Sequence, residues 1–256
     1  MRRPDDPPEP HSQDEPRHTL GLEVMTDAVR YRRYLLELLE PHLGRTVLEV
    51  GSGLGDLAAE LRGYERLIVT DVDPDCLGRL SRRFHGRPEV EAMQVDLRED
   101  LPAGVSVDSV LAVNVLEHIL DHVGALRRMA AVVAPGGDIV LFVPAYPSLY
   151  GPHDRAAGHV RRYVPASLRA AVTAAGLKVE LLHPVNFLGG IAWWVAVRVG
   201  GCSSPRSGLV KPYDRFVVPL VRIMERRWRP PFGQSILCVA RVPDGSLAVA
   251  SGSSDR

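Results

Sequence analysis

The chain has 256 residues, an apolar content of 45% and a formal net charge of zero, which suits one sizeable domain with appendages better than two small domains. Because there is no excess of positive charge, the composition gives no reason to expect a nucleic acid as partner. The three cysteines lie far apart and show neither metal-ligand nor disulfide spacing, which favours a reducing, cytoplasmic setting.

Both ends of the chain are poor in apolar residues that could form a core. We expect residues 1–20 and 244–256 to be disordered, with one domain over residues 21–243. No stretch is apolar for long enough to predict a membrane-spanning helix. The domain opens with a helix from about Leu22 to Leu43, in which apolar side chains recur at helical spacing.

Over the core, residues 45–145, short apolar runs alternate with helical stretches, the first of which runs from the first strand to Gly63. This alternation predicts an α/β fold with a doubly wound, mostly parallel sheet. A helical insertion over residues 186–232 precedes the last strand. The seven predicted strands are Thr46–Val50, Leu67–Thr70, Val90–Gln94, Ser109–Val113, Ile139–Val143, Lys178–His183 and Ser235–Val242.

The first strand ends in an acid, Glu49, followed by the alternate glycines Gly51, Gly53 and Gly55. Such glycines let the backbone turn tightly and approach a ligand closely, so the pattern favours a nucleotide-like cofactor. A purely structural turn from strand to helix is the alternative. The turn also suits an NAD(P)-dependent oxidoreductase, although the third glycine of that fingerprint would fall at Asp56.

Further pieces follow at the ends of later strands. Asp71 lies about twenty residues after the glycines, where its carboxylate can accept both ribose hydroxyls, and Asp73 is the fallback. Val95-Asp96-Leu97, Asn114-Val115-Leu116-Glu117-His118 and Ala134-Pro135-Gly136-Gly137 then occur in order. With these pieces, the core resembles class I S-adenosylmethionine-dependent methyltransferases of the small-molecule type, related to ubiquinone-pathway enzymes.

This resemblance implies a Rossmann-like methyltransferase fold with S-adenosylmethionine as cofactor. It implies that Glu49 acts on the methionine ammonium group and that Asp96 accepts from the adenine amino group. Capping of a helix is the alternative for Asp71 and Asp96, and covering of the domain surface is the alternative for His118. No metal site is expected. The implied cofactor-binding residues are Glu49, Gly51, Ser52, Gly53, Gly55, Asp71, Val72, Asp96, Leu97, Asn114 and Val115.

The acceptor loop, residues 146–164, is rich in tyrosine, histidine and arginine and follows the fifth strand, at the edge of the sheet where ligands bind. His153 or His159 suits removal of a proton from the acceptor, with Asp154 orienting the ring, and His118 is a third candidate. A structural link of the loop to the sheet is the alternative for its His159, Arg161 and Tyr163. The residues proposed to bind the acceptor are Tyr146, Tyr150, Arg161, Arg162 and Tyr163.

In the insertion, residues 213–229 suit a helix with an arginine-rich face and an apolar face. Such a helix covers an acceptor pocket, forms a dimer contact or lies on an anionic membrane surface. The residues of the predicted apolar face are Tyr213, Val217, Leu220, Met224 and Trp228.

The sequence as a whole therefore predicts a cytoplasmic enzyme. We expect this enzyme to transfer a methyl group from S-adenosylmethionine to an oxygen, or a nitrogen, of a small-molecule or lipid-like acceptor by in-line displacement. The two alternatives are an NAD(P)-dependent oxidoreductase and a non-catalytic protein that binds S-adenosylmethionine. The oligomeric state and the acceptor's identity stay open.

Overall fold

The computed structural model describes residues 28–199 and 211–245, without the side chains of residues 196–199. The predicted disordered segment 1–20 lies outside the described residues, and so does the predicted tail except for its first two residues. The predicted start of the first helix, before residue 28, and Cys202 also lie outside them.

The strands form a single sheet in the order β3-β2-β1-β4-β5-β7-β6. Strand β7 is antiparallel to both of its neighbours, whereas the other strand pairs are parallel. The prediction of a mostly parallel, seven-stranded α/β sheet is confirmed. The strands are β1 Thr46–Val50, β2 Arg66–Asp71, β3 Val90–Gln94, β4 Val107–Val113, β5 Val133–Pro144, β6 Lys178–Val185 and β7 Ser235–Arg241.

Helices cover both faces of this sheet. They are α1 Val29–Leu39, α2 Pro74–Arg83, α3 His122–Val132, α4 Pro152–Ala156, α5 Pro165–Ala174, α6 Phe187–Val199 and α7 Val218–Glu225. A π-helical turn, Tyr213–Val217, leads directly into α7. None of the described helices is long and apolar enough to cross a membrane.

The predicted helix between β1 and Gly63 is wrong, because this stretch forms a series of turns instead. Two backbone amides in it make helical hydrogen bonds, at Ala59 and Leu61. Other carbonyl groups are taken by guanidinium groups: Arg83 donates to the oxygen of Leu54, and Arg62 donates to that of Ala59. These side-chain bonds replace the backbone bonds that a regular helix needs.

The core consists of two apolar layers, one on each face of the sheet. Successive residues of the central strands alternate between the layers, as Val47 and Leu48 do in β1, because side chains of a strand point to opposite faces. Helices α3 and α5 cover one layer, whereas α1, α2 and α7 cover the other. With both faces covered, ligands have access to the central strands at the sheet's carboxyl edge.

The insertion is attached to the sheet through Asn186, whose backbone adopts a left-handed φ of 60°. The Asn186 side chain accepts a hydrogen bond from the Tyr213 hydroxyl at 2.7 Å and donates one to Gln234 at 2.8 Å. Next to it, the Glu225 carboxylate accepts from the Phe187 amide at 2.8 Å and from the Tyr34 hydroxyl. These bonds join helix α1, the insertion and the segment before β7.

The apolar face predicted for residues 213–229 is only partly right, because Tyr213 and Val217 pack against the core but the later residues follow another register. Asp214, Val218 and Val221 face the protein, whereas Leu220 and Trp228 are exposed. The reason lies in the π-helical turn, which holds Asp214 inward so that its carboxylate accepts hydrogen bonds from the first amides of α1, including that of Tyr31 at 2.8 Å. An acid at that position stabilises the start of a helix.

Candidate active site

The turn after β1 relies on left-handed backbone conformations at Gly51, Gly53 and Gly55, whose φ angles are 68°, 56° and 74°. A Cβ atom on Gly51 would lie 2.7 Å from a methyl carbon of Val115, which follows β4. The turn is also bonded to β2, because the Ser52 amide donates to the Thr70 carbonyl at 2.7 Å. The turn is therefore packed between the ends of β2 and β4.

Glu49 lies on β1 just before this turn and is 3% exposed. One of its carboxylate oxygens, Oε2, has no hydrogen-bond partner among the described residues. Burial raises the pKa of Glu49 to about 7, against the effect of a hydrogen bond with Ser52. A buried acceptor without a donor is costly, so this oxygen suits a positively charged ligand group.

Asp71 ends β2 and fixes the turn through its carboxylate. It accepts hydrogen bonds from the amides of Gly53 and Asp73, each at 2.9 Å. The helix-capping role goes to Asp73, whose side chain accepts from the Asp75 amide at the start of α2. Beside Asp71, the apolar Val72 is 44% exposed at the edge of the sheet. Both residues are therefore accessible where a cofactor is expected.

Asp96 follows β3, and its carboxylate is occupied by the guanidinium group of Arg98, with hydrogen bonds of 2.6 to 3.0 Å. Those hydrogen bonds lower the pKa of Asp96. The neighbouring Leu97 is buried. On the other side of the turn, Asn114 is exposed with a left-handed φ of 53°, and its amide donates to the Phe142 carbonyl at 2.8 Å.

On the acceptor side, Asp154 is the central buried group. It accepts hydrogen bonds from His159 Nδ1 and Arg162 Nε, each at 2.8 Å, and from the Gly151 amide at 2.9 Å. Burial alone raises the pKa of Asp154, but the bonds from His159 and Arg162 outweigh it and lower the pKa to about 2. Of the two candidate histidines in the loop, Asp154 therefore orients His159.

Glu117 is the residue that the sequence reasoning missed. It lies in the turn after β4, its side chain is 0% exposed, and neither carboxylate oxygen has a hydrogen-bond partner among the described residues. Its Oε1 lies 3.8 Å from His159 Nε2, and the ring of His118 lies 4.7 Å from that of His159. Burial raises the pKa of Glu117 to about 8. Its place beside His118 in the motif after β4 was the available signal.

The other candidates of the loop are distributed around this cluster. The ring of His153 lies 5.3 Å from that of Trp193, and burial lowers the pKa of His153. The Tyr150 hydroxyl donates to the carbonyl of His159 at 2.8 Å, and the Tyr146 hydroxyl donates to that of Pro231 at 3.1 Å. Arg161 donates to the carbonyl of Leu120 at 2.9 Å.

Two residues predicted to bind the acceptor lie inside the protein. Arg162 is buried and bonded to Asp154 and to the Ala145 carbonyl. Tyr163 is 1% exposed, and its hydroxyl is bonded to His122 and to the Leu116 carbonyl. In the structure, Arg162 and Tyr163 therefore anchor the loop to the rest of the protein. For Tyr163, this is the structural link that the sequence analysis named as the alternative to acceptor binding.

Comparisons with known proteins bear on the family and the fold. A methyltransferase-domain family model matches residues 26–182. A tRNA U34 carboxymethyltransferase of Pseudoalteromonas translucida is 32% identical over 111 residues, which are 42% of this chain and 34% of that protein. The chain spans between 34% and 58% of the length of the first curated relatives that it matches.

Solved structures share the fold at low sequence identity. A methyltransferase from a Haloferax volcanii complex with the Trm112 activator has a TM-score of 0.61 and 19% identity, covering 90% of this chain and 95% of that one. The N-methyltransferase NodS of Bradyrhizobium japonicum, bound to S-adenosylhomocysteine, has a TM-score of 0.53 and 17% identity, covering 84% and 88%.

These comparisons bear on two of the earlier interpretations. The match to a methyltransferase model rules against the oxidoreductase interpretation. The exclusion of nucleic acid drawn from composition is not supported, because one relative is named as a tRNA-modifying enzyme. The chain belongs to the methyltransferase-domain family, with the class I fold and S-adenosylmethionine as the cofactor.

Proposed function

We propose that this protein transfers a methyl group from S-adenosylmethionine to an oxygen, or a nitrogen, of a small-molecule or lipid-like acceptor. The observation that carries the proposal is the buried Glu49 oxygen, which has no hydrogen-bond partner within residues 28–199 and 211–245 and lies beside three left-handed glycines. In the reaction, a lone pair of the acceptor forms the new bond to the methyl carbon as the carbon–sulfur bond breaks. The bonding pair stays on sulfur, which leaves as S-adenosylhomocysteine.

Each part of the cofactor has a suitable group at the carboxyl edge. The free oxygen of Glu49 suits the methionine ammonium group. Asp71 still has lone pairs for the ribose hydroxyls after accepting its two backbone bonds. The exposed side chain of Val72 provides an apolar surface for adenine. Asp96 binds the adenine amino group if that group replaces the exposed Arg98.

The acceptor meets the cluster of Glu117, His118 and His159. This cluster follows β4 directly after Val115, which packs against the glycine turn, so it lies on the cofactor's flank. In-line transfer depends mainly on holding the nucleophile at near-attack distance. A proton must also leave when the nucleophile is a hydroxyl, and the imidazole and carboxylate groups of the cluster suit that step.

The insertion supports an acceptor with apolar surface. The Trp193 indole donates to the Leu149 carbonyl at 3.0 Å, so helix α6 is bonded to the acceptor loop. On α6, the side chains of Ile191, Trp194 and Val195 are exposed. Ligand sites are mostly lined by apolar and aromatic groups, with a few polar ones that fix orientation. This composition favours a lipid-like acceptor over a highly charged one.

Calorimetric titration with S-adenosylhomocysteine tests the cofactor part of the proposal. We expect binding to the unaltered protein and a loss of about tenfold or more in affinity for Glu49→Gln, because the ammonium group loses its charged partner. Glu91→Gln is the matched control, since that exposed carboxylate pairs with Arg66 on the outer strands. Absence of binding to the unaltered protein would contradict the proposal.

Radiolabelled methyl donor tests the transfer itself. A panel of phenols, amines and isoprenoid-linked acceptors should yield at least one labelled product. Separate His118→Ala, His153→Ala and His159→Ala variants then identify the acceptor-side residues through loss of turnover with cofactor affinity retained. Cofactor binding without a product from any acceptor would favour the non-catalytic alternative.

The outer surface of the insertion favours a second proposal, contact with an anionic membrane. Phe216 and Ile223 are 69% and 64% exposed, and the exposed Arg226 and Arg227 lie next along the chain. Apolar side chains flanked by arginines suit the boundary of an anionic bilayer. Co-sedimentation with phosphatidylglycerol vesicles should capture the protein at low salt and fail for Ile223→Glu. Equal sedimentation of both proteins, or of neither, contradicts this contact.

A further inference from the structure

We propose that Glu117, His118 and His159 bind one divalent transition-metal ion, for which zinc is the reference ion. Each residue offers a ligand atom, and these atoms all lie within 4.8 Å of one another. Two imidazoles and one carboxylate are a ligand set that zinc uses in catalytic sites, where further positions stay open. The same set suits other first-row divalent ions.

The first argument is the charge of Glu117. Its side chain is fully buried, and both carboxylate oxygens lack hydrogen-bond partners among the described residues. The nearby Arg162 is already bonded to Asp154, so its single positive charge is shared between the carboxylates of Asp154 and Glu117. A buried carboxylate without a partner is strongly disfavoured. A divalent cation coordinated by Glu117 would supply the missing positive charge.

The second argument is the orientation of His159. Its Nδ1 lies 2.8 Å from the Asp154 carboxylate, so Nδ1 is the donor nitrogen there and Nε2, which lies 3.8 Å from Glu117 Oε1, is the nitrogen placed to ligate an ion. A histidine that ligates a metal commonly donates its other nitrogen to a carboxylate in this way. Asp154 is itself fixed by Arg162 and by the Gly151 amide. The arrangement therefore contains both a ligand and the group that orients it.

The third argument is the distance between the two best-defined ligands. His159 Nε2 and Glu117 Oε1 lie 3.8 Å apart. That distance is too long for a hydrogen bond between them. Two ligands of a tetrahedral zinc ion lie about 3.4 Å apart, given bonds of about 2.1 Å. A small rotation of either side chain closes the difference.

The backbone also holds the two segments together. The Val160 amide donates to the Glu117 carbonyl at 2.9 Å, and the Tyr150 hydroxyl donates to the His159 carbonyl at 2.8 Å. The ligands thus lie on segments that are already joined without an ion. With three protein ligands, an ion keeps positions for water or for an oxygen of the acceptor, and this last use rests on the proposed function.

Metal binding is tested without cofactor or acceptor. The full chain is stripped with a chelator, and Zn²⁺ is titrated against a chromophoric competitor, with metal content measured by mass spectrometry. Co²⁺ provides a second readout, because Co²⁺ in a tetrahedral site gives intense visible d–d bands. These bands would be absent if the three residues only packed together and bound no ion. We expect one ion per chain, and S-adenosylhomocysteine affinity measured in parallel separates failure of this site from failure of the proposed function.

Variants then assign the ligands. Glu117→Gln and His159→Asn should each weaken zinc binding by about 100-fold, and Asp154→Asn should weaken it by about tenfold through loss of orientation. His153→Ala is the matched control, because it removes a neighbouring histidine outside the ligand set and should change affinity by less than about threefold. Equal zinc affinity in the unaltered protein, Glu117→Gln and His159→Asn would overturn the proposal, as would no stoichiometric binding. Circular dichroism of each variant confirms that it is folded.

Discussion

The cofactor side and the acceptor side of the sheet's carboxyl edge are built by different means. The cofactor side depends on backbone conformation, with left-handed glycines and amides bonded to Asp71. The acceptor side depends on buried charged groups, above all Asp154 with Arg162 and His159. The difference shows that the cofactor turn and the acceptor loop lie at the same edge of the sheet but are stabilised by different kinds of interaction. Substitutions on the acceptor side should therefore mainly lower the stability of the fold, whereas substitutions on the cofactor side should mainly lower the affinity for the cofactor.

The largest effect is expected from Asp154→Ala on the acceptor side. It leaves the buried Arg162 without its carboxylate partner, so we expect a loss of about 3–5 kcal/mol in the free energy of unfolding, measured in urea. Asp100→Ala is the control, because that aspartate is exposed and its pair with Arg128 is loose. A loss below about 1 kcal/mol would show that the acceptor side does not depend on its buried charges.

The same carboxylate predicts a pH dependence. Its pKa in the folded protein is lowered to about 2, below its unfolded value. Its stabilising contribution is therefore fully present above about pH 4 and is lost as the pH falls from about 4 to about 2. Urea unfolding over this range should show a decline that is absent in Asp154→Asn. Equal slopes for the two proteins would contradict the assignment.

The next prediction, on the cofactor side, separates the affinity for the cofactor from the stability of the fold. Gly51→Ala adds a Cβ atom at 2.7 Å from Val115 in a left-handed conformation, whereas Gly63→Ala adds one in open space at a similar φ. Both variants should lose about 1–2 kcal/mol of stability from backbone strain. Only Gly51→Ala should weaken S-adenosylhomocysteine binding by about tenfold or more, in calorimetry. Equal affinities of the two variants for S-adenosylhomocysteine would show that the cofactor side does not depend on the conformation of its glycine turn.

A further prediction concerns Glu49, for which burial raises the pKa to about 7. The ammonium group of the ligand needs the ionised carboxylate, so affinity should rise about tenfold between pH 6 and pH 8. In the free protein, a raised pKa means that the stabilising contribution is present below about pH 4.5 and is lost as the pH rises through 7. Glu49→Gln should remove both dependences, and their persistence in that variant would assign them to another group.

The smallest effect is expected for Arg98→Ala, which removes the exposed partner of Asp96. An exposed ion pair contributes little, so the urea midpoint should not change measurably. Affinity for S-adenosylhomocysteine should not decrease either, because the adenine amino group takes the carboxylate. Asp96→Ala should weaken binding by about tenfold. A loss of affinity in Arg98→Ala would instead place the guanidinium group on the cofactor.

The fold could be predicted from the sequence because its strands are short apolar runs separated by clear turn residues. The stretch between β1 and Gly63 could not, since carbonyl groups in it accept hydrogen bonds from Arg62 and from Arg83, a side chain of the later helix α2. The register of the helix before β7 was missed because Asp214 is held inward by α1, more than 180 residues earlier in the chain. Long-range bonds of this kind leave no local pattern.

In the candidate site too, some residues could be predicted from the sequence and others could not. Glu49, the glycines and Asp71 are recognisable because the sequence places them at fixed distances along the chain. Asp154 could be named as an orienting group, but which histidine it meets depends on how the loop closes. Arg162 reads as a surface residue suited to an acceptor, yet it is buried under Trp193. Glu117 received no role, because its burial is a property of the packed structure.

The position of β7 between β5 and β6 has a consequence for synthesis of the protein. The four strands that carry the cofactor side are complete once residue 113 has been made. The free edge of β5, by contrast, stays unpaired until residues 235–241 leave the ribosome, since those residues form its other neighbour. A nascent or truncated chain therefore presents the apolar edge Ile139–Val143 to other chains, and unpaired edges of this kind promote aggregation.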